Sequence, residues 1–530
     1  MPSGNHLPPH GETSSLSFTL DGVAVEVPDD GGTLLGALRD HLGVRSAKDG
    51  CSPQGQCGCC TVLVDGQPRV ACVTPARRIA GRAVTTVDAL PDAGRWADAF
   101  CATGGSQCGF CTPGIVVRLS AAAAGGRHDR GACERALLAH LCRCTGWQPI
   151  VDAWELVVAG DAVEPWAGRD RAAAARRASI EGASPQAVEP EVALGRAPFA
   201  ADTIPSGCLL AVPDAAGGWA VGETLAAARA AAGKVQGRRS TVASPPPIEL
   251  PAGDWALALR TSWVEPAYLE TDASWCEPGG QPSTTLANGG AFGGKVASPL
   301  PAAARDLANR HGRPVLALWS REDATRLGPK RPPLAAGVDR GGAGVVRVAR
   351  AGGIAAHLRS IPGLDLDVEE VDVHGPPAAV DLRAAGWAEA ALLAAGLSGD
   401  PQVTVTDPFT GGRATARLDG GTIALRVEAG AVLDEVVLRS YCTGAAHQAL
   451  GWVTTEALAV APDGEVLDLT VRSFGILRAV DMARVDVEVV DGGGAEPVRA
   501  SDAAFAAVAA AVWVAQGCPT DLPTGRKLDP

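Results

Sequence analysis

Fifteen cysteines occur in the chain, and eleven of them fall between Cys51 and Cys144. They arrive in bursts: GCSPQGQCGCCTVLVDGQPRVAC near the front, then QCGFCTPG and LCRCTGW. Thiols this close together can form disulfides, hold zinc or hold iron–sulfur clusters. The opening residues, MPSGNHLPPHGETSS, contain no apolar stretch of the secretory kind, so the expected location is the cytoplasm. In a reducing compartment the pattern favours metal binding or redox chemistry over disulfides. Cys208, Cys276, Cys442 and Cys518 stand alone and read as small buried apolar residues.

The elements that must position these thiols are readable in the same stretch. SLSFTL and VAVEV flank Asp21–Gly22, and alternating apolar residues around such a pair predict a β-hairpin. Thr33 is placed to cap a helix whose Leu34, Leu35, Leu38 and Leu42 share one face, with Gly43 as its stop. TVLV and PRVACV flank Asp65–Gly66 and predict a second hairpin. Two hairpins and a helix make a β-grasp-like α+β unit. The loop before the second hairpin carries Cys51, Cys57 and Cys60, and the strand leaving its turn carries Cys72. The spacing C-x5-C-x2-C-x11-C is one residue longer in its first gap than that of plant-type ferredoxins. Gly50, Gly55 and Gly58 would let backbone N–H groups turn inward toward an anionic cluster. Four-thiolate zinc is the alternative, although zinc sites favour two short knuckles and here three thiols crowd one loop. Cys59 reads as a non-ligand pointing away.

From Arg95 to Gly160 the pattern becomes helical. Thr112–Pro113 opens one helix, which runs to Gly125–Gly126. A second, CERALLAHL, ends at Cys142-Arg143-Cys144, and a third is PIVDAWELVVAG. Cys108 and Cys111 precede one helix while Cys142 and Cys144 end another, so two antiparallel helices could bring four thiolates together. Cys101 and Cys133 lie on the flanks and read as packing residues.

CGCCTVLVDG, QCGFCTPG and LCRCTGW together resemble the iron–sulfur region of the xanthine dehydrogenase/aldehyde oxidase family of molybdenum hydroxylases. The resemblance covers nearly all of residues 15–160. It implies two 2Fe–2S clusters, one on Cys51, Cys57, Cys60 and Cys72 and one on Cys108, Cys111, Cys142 and Cys144. It also implies that Gln107 lies against a molybdopterin-type cofactor. The longer first gap departs from the family pattern and bears on the shape of that loop. Farther on, LANGGAFGGKVASPLPAAARDLANRHGRPVLALWSRED resembles the family's glycine-rich loop, helix, strand and turn. There Gly289, Gly290, Gly293 and Gly294 would allow close backbone approach to the pterin. RSYCTGAAHQALGWVTTEAL resembles the segment around a second pterin-contacting glutamine, which places Gln448 there, with His447 beside it as a hydrogen-bonded structural residue.

Two departures matter. The family's catalytic subunits carry a glutamate general base before an Ala-rich helix, whereas this chain has Ser501–Asp502 before AAFAAVAAAVWVAQG. Asp502 is one methylene shorter and reads equally as a helix N-cap. Nothing from Leu334 to Leu438 resembles the family's GFGxPQ segment; short hydrophobic runs alternate there with GG, PG and DG turns. No G-x-G-x-x-G follows a predicted strand, so FAD is expected on another polypeptide.

The predicted architecture is an α+β multidomain chain. It comprises a β-grasp ferredoxin-like 2Fe–2S domain (15–92), a helical 2Fe–2S domain (93–162), an Arg/Ala/Pro-rich linker (163–190) and a shortened α+β molybdopterin-binding-like domain (191–525). A formal charge of −13 and the lack of a long Lys/Arg run exclude a phosphate-binding arm, so nucleic acid is not an expected partner. The apolar run from Ala503 to Ala515 is too short to span a bilayer, and no membrane partner is expected. The favoured function is an electron-transfer component relaying electrons from a molybdenum centre to a flavin or other acceptor. Its expected partners are an FAD subunit, a full-length molybdenum subunit or both, with homo-oligomerisation a further option. The alternative is a self-sufficient hydroxylase of a purine, aldehyde or N-heterocycle, with Asp502 as base. A non-redox zinc protein is the third reading, and the eight-thiol pattern opposes it.

Overall fold

The computed structural model describes residues 15–160, 169–233, 245–526 and 528. The opening residues examined for a secretory signal, 1–14, and the first part of the predicted linker, 163–168, lie outside the described residues.

Both predicted hairpins form. β1 (Ser15–Leu20) pairs antiparallel with β2 (Val23–Pro28) around Asp21 and Gly22, both at positive φ. β3 (Thr61–Val64) pairs antiparallel with β4 (Gln67–Val70). β5 (Ala83–Thr85) lies between them, parallel to β1 and antiparallel to β3, which closes a sheet of order β2-β1-β5-β3-β4. Thr33 caps α1 (Leu34–Gly36), accepting the Gly36 N–H at 3.2 Å, and the chain continues as a wider turn over Ala37–His41. The two predicted hairpins thus share one five-stranded sheet with the short helix of the predicted unit beside it.

Helices follow: α2 (Ala93–Thr103), α3 (Thr112–Ala124), α4 (Arg130–Leu137) and α5 (Gln148–Ala159). One continuous apolar core runs through the sheet and these helices, and both cysteine groups are buried in it. Two expectations need correction here. α4 stops at Leu137, so Cys142 and Cys144 sit in the loop between α4 and α5 rather than at a helix end. Cys72 lies in a short 3-10 turn, Ala71–Val73, just beyond β4. The predicted linker is also structured in part. Residues 171–182 form α6 (Arg171–Gly182), whose Arg177 and Glu181 side chains are fully buried as an ion pair.

Among the described residues beyond α7 (Pro190–Ala193) lie three further sheets. The first has order β7-β6-β10-β9, built from β6 (Leu209–Pro213), β7 (Trp219–Gly222), β9 (Ala273–Cys276) and β10 (Val315–Leu318), with α8 (Leu225–Ala231) and α9 (Leu300–His311) packed on it. α10 (Arg321–Leu327) starts at a Ser320/Asp323 capping box, the turn predicted from SRED. The second sheet runs β13-β12-β11-β8-β18, from β8 (Leu257–Thr261), β11 (Leu334–Val338), β12 (Ala343–Ala349), β13 (Asp365–Val371) and β18 (Asp521–Leu522). The third runs β14-β15-β16-β17, from β14 (Val403–Thr406), β15 (Arg413–Asp419), β16 (Thr422–Glu428) and β17 (Val485–Val490). α11 (Ile354–Leu358), α12 (Trp387–Ser398), α13 (Glu435–Thr454) and α14 (Ser501–Ala515) complete the chain. α14 is buried over most of its length because its Ala and Val side chains let α12, α13 and the third sheet approach on several sides. Among the described residues, no helix is long and apolar enough to cross a membrane.

Candidate functional site

None of the fifteen cysteines forms a disulfide. In the loop leading to β3, Cys51, Cys57, Cys60 and Cys72 are all at most 2% exposed. The Cys51 thiol is hydrogen-bonded to those of Cys57 and Cys72, and Cys72 also to Cys60. Backbone N–H groups point inward as an anionic centre requires: Gln54 and Gln56 donate to Cys51 Sγ at 3.2 and 3.5 Å, and Cys72 donates to Cys60 Sγ at 3.4 Å. Gly55 and Gly58 take positive φ to turn the loop. Hydrogen bonds from the Cys57 and Cys72 thiols hold Cys51 well below the ordinary thiol range, so it is the most thiolate-like of the set.

The second set is built from two loops. Cys108 and Cys111 precede α3, and Cys142 and Cys144 follow α4. Cys144 Sγ lies 3.5 Å from Cys108 Sγ, and Cys111 is hydrogen-bonded to Cys142. The Cys111 thiol, aided by the Thr145 hydroxyl, brings Cys142 down to about 7. Among the described residues, no group of three or more His, Cys, Asp or Glu side chains is arranged to hold a single metal ion; the thiols meet mainly in pairs. Paired buried thiols with inward backbone donors fit a 2Fe–2S cluster, in which four cysteine thiolates serve two irons.

The two sets adjoin. A side chain on Gly50 would meet Cys57 Sγ, Cys59 Sγ and the Phe110 ring at 3.1–3.2 Å, and one on Gly114 would strike the Gly58 and Cys59 carbonyls. The Leu141 N–H donates to the Cys57 carbonyl at 3.0 Å. The expectation that Cys59 points away is therefore corrected: its thiol is fully buried, donates to the Cys57 carbonyl at 3.9 Å and faces Gly50 beside the Cys57 sulfur. Cys101 and Cys133 are packing residues, and burial pushes both thiols up to about 12.

The second set is walled by distant parts of the chain. Arg143, between two of its cysteines, makes a bidentate ion pair with Glu456 at 2.6 and 2.7 Å. Asn288 donates to the Cys108 carbonyl, and the Gly290 Cα packs so closely that a side chain there would lie 3.1 Å from Cys108 Sγ and 3.4 Å from Cys144 Sγ. His447, hydrogen-bonded to the Leu477 carbonyl, is structural as predicted.

The residues proposed for a pterin fare differently. The Gln107 amide donates to the Cys144 carbonyl at 3.0 Å and to Ser440 Oγ at 2.9 Å, and the Gln448 amide donates to the Arg143 carbonyl at 3.0 Å. Both glutamines thus brace one cysteine loop. The void beside Cys144 is about 10 Å3 and that beside Gln448 about 40 Å3, room for water and not for a bicyclic ring. Gly289 and Gly290 line both the void beside Cys144 and, with Gly293, a cavity of about 300 Å3, while Gly294 is pressed against the Tyr268 ring. These six residues do not enclose one pterin-sized space, and they do not fit the group as a set.

Asp502 lines the larger cavity. It does not cap α14, contrary to the N-cap reading: Glu181 of α6 does so, accepting the Ala500 and Ser501 N–H groups. Asp502 Oδ1 instead lies 3.0 Å from Arg383 Nε, and Oδ2 lies 3.2 Å from Arg499 Nε. Oδ1 accepts a hydrogen bond from Arg383, and Oδ2 lies within ion-pair reach of Arg499, so two cations hold the carboxylate that a general base would need to turn toward a substrate. Sequence reading missed Glu181 and Glu456. Glu181 had a signal, the i,i+4 spacing from Arg177, obscured by an Ala/Arg-rich composition; Glu456 had none.

Comparison with known proteins accords with this geometry. The family described as 2Fe-2S binding domain matches residues 86–155. The xanthine dehydrogenase iron-sulfur-binding subunit of Escherichia coli O157:H7 is 36% identical over 149 residues, which cover 27% of this chain and 93% of that subunit. The xanthine dehydrogenase of Blastobotrys adeninivorans is 37% identical over 161 residues, but the match spans only 11% of that protein. The aldehyde oxidoreductase structure from Desulfovibrio desulfuricans shares the fold over 96% of this chain and 99% of that one, with a TM-score of 0.69 at 15% identity. The buried thiol sets at the front of the chain and this iron-sulfur relative define the class: the chain belongs to the xanthine dehydrogenase family of molybdenum hydroxylases.

Proposed function

We propose that this chain is the iron–sulfur electron-transfer component of a xanthine dehydrogenase-like molybdenum hydroxylase, with the molybdenum centre and the flavin carried by partner subunits. The observation that carries this reading is the pairing of eight buried thiols in two adjoining sets. Two 2Fe–2S clusters held there would supply one-electron transfer. Cys51, Cys57, Cys60 and Cys72 would hold the first, and Cys108, Cys111, Cys142 and Cys144 the second. The chain's own residues keep both sites dry: the thiols lie in one apolar core, and Gly290 and Asn288 close the second site from outside. The engagement of Gln107, Gln448 and Asp502 by other protein groups supports placing hydroxylation elsewhere.

The second reading, a self-sufficient hydroxylase, draws on the cavity of about 300 Å3 at Asp502. The test is to quantify iron, molybdenum, zinc and pterin on one sample of the purified chain. About four irons per chain without molybdenum or pterin is the expected result. Stoichiometric molybdenum and pterin would overturn the assignment in favour of the second reading, and zinc in place of iron would overturn both.

A further inference from the structure

Two arginines from the distant part of the chain hold the first cysteine loop. Arg321, the first residue of α10, is fully buried, and its Nη2 donates to the Gly50 and Leu269 carbonyls, both at 2.8 Å. Gly50 directly precedes Cys51. Arg321 Nε and Nη1 have no hydrogen-bond partner, and among the described residues no carboxylate stands within ion-pair distance of the guanidinium. The buried carboxylates that act with Arg321 on Tyr268 are committed elsewhere: Asp272 accepts from the Tyr268 hydroxyl at 2.7 Å, and Glu265 pairs with Lys330 at 2.9 Å. Arg472 grips the loop nearer Cys57. Its Nε donates to the Gln56 carbonyl at 3.0 Å and its Nη2 to the Leu138 carbonyl at 2.8 Å, again with no carboxylate within ion-pair distance among the described residues. Burial and the Arg478 charge lower Arg472, while Cys57 and Cys51 act in the opposite sense. Glu322 also touches the loop, accepting from the Gln54 amide at 2.9 Å, but its single charge does not cancel two cations. The other cations near the cysteines are neutralised: Lys48 by Asp202, Arg229 by Asp49, Arg143 by Glu456 and Lys295 by Glu270.

We propose that Arg321 and Arg472 are the counter-cations of the first cluster and set its reduction potential. This rests on the cluster assignment above. A buried cation costs free energy unless an anion compensates it. The fold gives Arg321 two carbonyls and no carboxylate, and the thiolate-held centre that begins one residue beyond Gly50 is the compensation. Reduction adds one negative charge to such a centre. A fixed cation at short range in a low-dielectric interior stabilises the reduced form more than the oxidised one, so each arginine raises the potential. Paired charges surround the second set, and the fields of such pairs largely cancel, so its potential does not depend on these two residues. Neither arginine is a ligand; both are positioning residues that act through their charge. The electron-accepting strength of a cluster at the front of the chain is thus decided by how the distant part packs against it.

The experiment is a redox titration of the full chain in its iron-loaded form, with each cluster followed by its own electron paramagnetic resonance signal. Arg472→Gln should keep the full iron content, lower the midpoint potential of the first cluster and leave that of the second unmoved. Arg472→Lys, which keeps the charge, should hold the first midpoint close to that of wild type. Arg321→Met removes a fully buried charge and should lower the first midpoint further; if that variant does not fold, the two Arg472 variants decide. An unchanged first midpoint in Arg472→Gln, equal shifts in Arg472→Gln and Arg472→Lys, or equal shifts of both clusters would overturn the proposal. A wild-type chain that carries no iron would instead defeat the cluster assignment beneath it.

Discussion

Glu456 supports the second cysteine set from about three hundred residues away, and its removal has a calculable cost. Its two carboxylate oxygens meet Arg143 Nη1 and Nη2 at 2.6 and 2.7 Å, and the side chains are only 6% and 2% exposed. Solvent screening does little at that burial, so the discount appropriate to surface pairs does not apply. Arg143 Nε is already committed to the Pro266 carbonyl at 3.0 Å. In Glu456→Ala the guanidinium would remain buried with its charge uncompensated. Breaking such a pair costs ~3–5 kcal/mol, and the strain falls on the loop that carries Cys142 and Cys144. Denaturation of the iron-loaded chain by urea, followed by circular dichroism and by visible cluster absorbance, would measure it. Because a multidomain chain does not unfold in two states, midpoints are the quantities to compare. The second cluster should bleach at markedly lower urea than in wild type, before the first. Arg143→Met combined with Glu456→Met removes both buried charges and should recover most of the loss. A Glu456→Ala chain whose second cluster bleaches at the wild-type urea midpoint, or a double variant as weak as the single, would refute this reasoning.

Two further outcomes are expected. Cys57→Ser and Cys142→Ser should each abolish one cluster's paramagnetic signal and spare the other's; loss of both signals from either change would contradict independent sites. Burial, with the nearby Arg143 charge, lowers His447 from 6.5 to about 4. The folded chain thus holds His447 neutral while the unfolded chain protonates it near 6.5, so the stability it contributes is full above 6.5 and is lost as pH falls toward about 4. At ~1.36 kcal/mol per pH step the gap amounts to about 3 kcal/mol. His447→Gln should flatten the fall in denaturation midpoint between neutral and acid pH, and an unchanged acid limb would count against the assignment.

The local elements and the inventory of thiols were legible in the sequence because their causes are local. Asp21–Gly22 and Asp65–Gly66 can take the positive φ that a two-residue hairpin demands, and they do. The Thr33 cap, the Ser320 capping box and the helix opened by Thr112–Pro113 likewise depend on residues within one turn. Cysteine spacing picked out two groups for the same reason: each loop is short enough to constrain its own thiols. Tertiary structure alone decided which thiols pair, that the Cys59 thiol meets the Cys57 carbonyl, and that Gln107 and Gln448 brace the Cys142–Cys144 loop rather than face an open cavity. It also turned part of a composition that reads as linker into α6, whose Glu181 caps a helix 319 residues away. Asp502 shows the difference most clearly. Its place before an Ala-rich helix allowed a base or a cap, and Arg383, brought from 119 residues away to join the neighbouring Arg499, made it an ion-pair partner instead. A side chain's type is written in the sequence, but the charges and donors that surround a buried one come from segments far along the chain, and packing brings them there.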